Sequence, residues 1–203
     1  MVDFDTDIDQ EYTDIDQKYN DFRAILLQIN EKKEPSLFSG INSILQKFFL
    51  LCVSSYFESE LSKTILGYVG DITQDNLLLS ELIRKKVITR HYHTWFDWDA
   101  RNANKFFNMF GDEFAEFMKA RVSYEEKLDR AIKDFIEIGR DRNLIVHNDF
   151  GSYLFEKTID ETYGKYCSAR YFVNQLPFCF CQFIATKGAV AKVSPSQRSR
   201  SSC

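Results

Sequence analysis

The chain of 203 residues has three prolines and eight glycines. That scarcity argues against a β-sandwich, whose strands need a turn signal about every 8–12 residues, and it leaves long helices uninterrupted. An apolar run of about 18 residues, the length that spans a bilayer, is missing, as is a charged opening followed by an apolar stretch. A cytoplasmic protein with no membrane partner is therefore expected. The five cysteines, Cys52, Cys167, Cys179, Cys181 and Cys203, are odd in number, and their tightest pair is separated by one residue. Zinc ligands use a spacing of two or more, so these are expected to be reduced thiols, mostly buried. An excess of positive charge is also absent. The formal net charge of −4 argues against a protein that coats nucleic acid through many phosphate contacts, although a local basic groove remains compatible with it.

Hydrophobic residues supply 44% and charged residues 28% of the chain, the balance of a folded globular protein. With 19 phenylalanines its core should be well filled. One compact all-α domain with an appended segment fits the length. The acidic opening repeats "DIDQ" at a seven-residue offset, placing Ile8 and Ile15 on one helical face that Tyr19, Phe22, Ile25 and Leu26 continue. A helix to about Lys32 is expected, then a break at Pro35 and Gly40. The repeats lack the central glycine and terminal glutamate of a calcium loop. A central helix follows from Ile41 to about Val69, apolar around most of its circumference, so at least one of Glu58 and Glu60 is expected to turn inward.

After caps at Thr73 or Asp75, a short helix should cover "LLLSELIRKKVI", and another residues 100–110, ended by Gly111. "SYEE" from Ser123 fits a capping box for a longer helix. A last helix is expected from about Phe155 to Leu176, stopped by Pro177. The basic end of the chain reads as a disordered tail. Boundaries follow at 1–34 for the acidic N-terminal helix, 35–186 for the helical domain and 187–203 for the tail.

The stretch "RDRNLIVHND", residues 140 to 149, holds one of only three histidines. On a helical wheel Leu128, Ile132, Phe135, Gly139 and Val146 share one narrow sector, and Arg142 falls inside it. An arginine there requires a carboxylate, a phosphate or a subunit interface, because an unpaired guanidinium loses its hydration on burial. Arg140, Asn143 and His147 line the polar border of that sector. Such a set suits RNA phosphodiester cleavage: an imidazole exchanges protons near neutrality, and a guanidinium offsets charge building on phosphorus. Asn143 can position His147 or bind a phosphate oxygen. The plainer reading takes His147 as a helix C-terminal residue favoured by the dipole, with Asn148 or Gly151 turning the chain. His91, His93, Asp97 and Asp99 alternate in an aromatic stretch without metal-site spacing, and Trp95 and Trp98 are expected in the core rather than stacking on bases.

"RNLIVH" resembles the Arg-x4–6-His motif of the higher eukaryote and prokaryote nucleotide-binding (HEPN) superfamily. "SYFESEL" in the central helix, "NANKFFNMFG" upstream and "IGRDRNLIVHNDF" are similar to its RiboL-PSP/MAE-type branch, found beside bacterial toxin and defence genes. The resemblance covers roughly residues 38 to 185. It implies a bundle of four to five helices, here with an extra N-terminal helix, that forms a homodimer with two motifs facing each other. It also implies a metal-independent endoribonuclease needing no cofactor, a toxin or antiviral effector held by an antitoxin or another defence protein. By position Arg142 and His147 are then the catalytic pair, Asn143 the polar residue after the arginine, and Glu58 the acid that answers Arg142, with Asn148 and Arg140 in support. Tyr153 is a candidate for silencing by modification. The competing reading is a non-catalytic helical dimerisation or binding module with a structural Arg142–Glu58 pair.

Overall fold

The computed structural model describes residues 12–193. It is all-α: α1 (Asp14–Glu31), α2 (Pro35–Thr73), α3 (Leu77–Ile83) with a π-helical turn (Arg84–Ile88), α4 (Tyr92–Trp95), α5 (Asn104–Asn108), α6 (Asp112–Tyr124), α7 (Glu126–His147) and α8 (Ile159–Val193), with no strand among the described residues. Two compact units divide the chain, Met1–Phe57 with Ile138–Tyr166, and Glu58–Glu137 with Cys167–Cys203.

In the first unit α1 opens with a capping box. Asp16 Oδ2 accepts from the Thr13 N–H at 2.7 Å, and the Asp16 N–H donates to Thr13 Oγ1 at 3.3 Å. Ile15 is buried as expected, whereas Ile25 leaves the stripe and is exposed. Tyr19 stacks on Tyr163 with ring centroids 3.8 Å apart, and Phe22 meets Phe49 edge-on, which fastens α1 to the starts of α2 and α8. The first "DIDQ" lies outside the described residues. Lys33, at φ 56°, ends the connection, and α2 begins at Pro35 and runs through Gly40, because proline suits a first helical position, where no N–H is needed. Phe49, Leu50, Val53 and Phe57 form its buried side.

α2 is long and apolar enough to cross a membrane, with mean hydropathy 1.4 over 18 residues. The run is not made of apolar letters throughout, since Asn42, Ser43, Gln46 and Lys47 interrupt it, which is why the reading letter by letter found no apolar run of that length.

The second unit is built on rings. Phe96 stacks on Phe106 at 4.8 Å, Phe135 meets Phe172 at 5.3 Å, and Phe114 stacks on Phe180 at 5.1 Å. Trp95 is buried and its indole N–H donates to the Val87 carbonyl at 3.0 Å, so it fills the core as expected. Gly111, at φ 95°, makes the turn into α6 that glycine is suited to. Two expectations are corrected here. Asn76 caps α3, its Oδ1 accepting from the Leu79 N–H, while Thr73 closes the last turn of α2. Ser123 belongs to the end of α6, donating to the Ala120 carbonyl, so "SYEE" caps no helix.

Pro177 stands inside α8, which continues to Val193. An interior proline costs about 3 kcal/mol, but Leu176, Cys179 and Phe180 on either side are buried, and each large side chain contributes about 1.5–3 kcal/mol on burial. Packing therefore carries the helix through, and residues 187–193 are helical rather than tail; the remainder of the expected tail lies outside the described residues. Thr158 and Glu161 cap its start, four residues later than expected. Of the described cysteines, Cys179 alone is buried; Cys52 and Cys167 are half-buried and Cys181 is exposed.

Candidate active site

Along the last three turns of α7 the buried side rotates. Ile138, Asp141 and Ile145, spaced i, i+3, i+7, are buried, while Val146 is 49% exposed and Arg142 half-buried. The sector that holds Leu128, Ile132 and Phe135 in the core therefore emerges into solvent at the level of Arg142. Its guanidinium Nη1 donates to Asn143 Oδ1 at 3.1 Å, and among the described residues no carboxylate pairs with it.

Glu58 belongs to the other unit and is exposed on α2, while Glu60 pairs with Lys63 of its own helix at 2.7 Å. The expected inward turn is corrected for Glu58, which is exposed where a charged carboxylate keeps its hydration, whereas Glu60 is half-buried.

His147 is the last residue of α7 and is exposed. Asn148 closes the helix, its backbone N–H and its Nδ2 both donating to the Leu144 carbonyl, at 3.1 and 2.7 Å. At about 100° per residue Arg142 and His147 point about 140° apart, whereas Arg140 and His147, two turns apart, point within about 20° of each other. Arg140 is exposed, as is His147. The single helix thus presents Arg140, Asn143 and His147 along one side, with Arg142 about 100° or more round the helix from each of them. Asn143 is held by Arg142.

Sequence reasoning missed the groups that fix the segment after the motif. Asp141 is 6% exposed and accepts from Lys157 Nζ, with Arg140 Nη2 at 3.8 Å from its other oxygen. Lys47 on α2 is 3% exposed, donates to the Phe150 carbonyl at 2.8 Å and sits 5.2 Å from that ring's centroid. Asp149 folds the turn between them: the Gly151 N–H and Ser152 hydroxyl donate to its carboxylate at 3.1 and 2.8 Å. Those bonds, the Ser152 hydroxyl foremost, hold the Asp149 carboxyl below its usual range. Tyr153 is half-buried, its N–H bonded to the Asp149 carbonyl. The signal for Asp141 was its placement between Ile138 and Ile145; nothing local in the sequence marked Lys47 or Lys157.

Among the described residues no group of three or more His, Cys, Asp or Glu could hold a metal, His91 and His93 included. An all-helical chain that closes its penultimate long helix with Arg-Asn-x-x-x-His has the form of a HEPN domain. The family model RiboL-PSP-HEPN matches residues 11–181, and the chain belongs to that family. Domains of this kind are frequently nucleases. The matched span includes α1, so the N-terminal helix lies inside the family pattern rather than outside it. No curated protein and no solved structure matches the chain.

Proposed function

We propose that the protein is a metal-independent endoribonuclease acting as a toxin or antiviral effector. The observation that carries this is the end of α7, where an arginine with no ion pair among the described residues, a polar asparagine bonded to it and an exposed histidine fall within six residues in a chain of a family whose domains are frequently nucleases. The ribose 2′-oxygen attacks the adjacent phosphorus while His147 takes the 2′-OH proton; a P–O2′ bond forms and the P–O5′ bond breaks. A proton delivered to the departing 5′-oxygen, by a second imidazole or by water, completes a 2′,3′-cyclic phosphate end and a 5′-hydroxyl end. Arg142 offsets the charge gathered on the phosphoryl oxygens.

Because Arg142 and His147 point about 140° apart on one helix, a homodimer in which two motifs face each other gathers them on one phosphate more readily than a single copy does. The emergence of Val146 and Leu144, 49% and 43% exposed, supplies an apolar surface at that place. Cytoplasmic location and an antitoxin or defence partner belong to the same proposal.

The test is to incubate wild type, His147→Ala and Arg142→Ala with total RNA in EDTA, with circular dichroism as the folding control. The reading expects cleavage by wild type alone and three folded proteins. The competing reading, a binding module, expects folded wild type that leaves RNA intact.

A further inference from the structure

α3 departs from the rest of the fold. Its seven residues, Leu-Leu-Leu-Ser-Glu-Leu-Ile, include none that is buried. Leu77 and Leu78 are 73% and 83% exposed, Leu79 and Leu82 40% and 53%, and Ile72 on the preceding turn 53%. A helix this short is not stable through its own backbone bonds. Its order comes from local devices: the Asn76 cap and the fork of Arg84 on Glu81, with bonds of 2.8 and 2.6 Å. Leu78, Leu79 and Leu82 fall within about 100° of the circumference, the width of a helix face that docks on another element.

The segment that follows this face is cationic. Arg84, Lys85, Lys86 and Arg90 follow within eight residues of Leu82, opposed by Glu81 alone. Glu81 is taken by Arg84 and Lys85, and among the described residues no carboxylate pairs with Lys86 or Arg90.

We propose that α3 and the π-helical turn after it form a docking surface for an acidic amphipathic helix of a partner protein. The leucines supply the buried centre that an interface needs, and the unpaired cations supply a rim that selects negative charge. A second copy of this chain is disfavoured there, because a two-fold contact sets each residue against the same patch of its mate and would bring Lys86 and Arg90 against their own kind. This surface is independent of the ribonuclease reading and survives its failure.

The probe is a fluorescein-labelled synthetic helix of about 18 residues with leucines at i, i+3, i+4 and i+7 and glutamates elsewhere, titrated against the full chain and compared with the same helix carrying lysines. Saturable binding of the glutamate helix, at least tenfold tighter than the lysine helix, is expected. Leu78→Ser with Leu82→Ser should weaken it at least tenfold without changing the circular dichroism, since neither leucine is in the core. Lys86→Glu with Arg90→Glu should reverse the preference.

Equal binding of both helices, or of neither, overturns the proposal. So does flotation on phosphatidylglycerol vesicles through these leucines without helix binding, or a homodimer that the leucine variant dissolves.

Discussion

Replacing Lys157 with methionine isolates what holds the segment behind the motif. Asp141 is 6% exposed and Lys157 is its principal partner, while Arg140 stands 3.8 Å away with its own side chain 44% exposed. Breaking a fully buried pair by removing one partner costs about 3–5 kcal/mol. Lys157 retains 25% of its side-chain exposure, so part of the interaction is already screened, and about 2–3 kcal/mol is expected. At about 2–4 °C per kcal/mol for a chain of this size, thermal unfolding should fall by about 4–12 °C. Asp141→Asn leaves instead a lysine that can turn into water, so it should cost less, about 1 kcal/mol. The double variant should recover stability relative to Lys157→Met, since no unpaired buried charge remains. Melting of the four proteins by circular dichroism measures this cycle. Equal losses for the two single variants, with a double variant showing their sum, would refute the claim that a buried carboxylate depends on Lys157.

Three further outcomes follow from the same structure. Pro177→Ala restores a backbone N–H to α8 and should raise stability by about 1–2 kcal/mol, after the gain in unfolded-chain entropy is set against it; a lower melting temperature would show that packing around Phe180 needs the proline. Burial pushes the Cys179 thiol up to about 11, so native protein treated with iodoacetamide at pH 8 should be modified at exposed Cys181 and not at Cys179, as read by peptide mass. Asp149 has a carboxyl held low by Ser152 and Gly151, so its bonds stabilise the turn above the unfolded carboxylate value of about 3.9 and are lost as pH falls through the lower folded value. Hydrogen exchange at the Gly151 amide should therefore stay protected between pH 7 and 5 and lose protection only below the ordinary aspartate value of about 3.9, and Asp149→Asn should remove that dependence.

The helical class was legible because few glycines and prolines interrupt long apolar periodicities, and the end of α7 was legible because Arg142, Asn143 and His147 stand within six residues. Other features depend on tertiary packing that a single helical wheel does not contain. The wheel of α7 drawn from Leu128 runs through Gly139, which is buried, to Arg142 and Val146, but in the last two turns the buried side is that of Asp141 and Ile145. Pro177 reads as a stop until Phe180 is seen against Tyr68, Phe110 and Phe114. Glu58 would need an inward partner only if α2 were covered on every side, and the helix is exposed at Glu58. Nothing in the letters of α3 says which way its leucines face, and all four are exposed.

The most direct test of the central claim is the chemistry of the cut. A short RNA cleaved by wild-type protein in EDTA should give one product ending in a 2′,3′-cyclic phosphate and another beginning with a 5′-hydroxyl. The same RNA with a single 2′-deoxyribose at the cleaved position should resist. Cleavage of the deoxy-substituted strand at the same bond would contradict attack by the 2′-hydroxyl and the role given to His147.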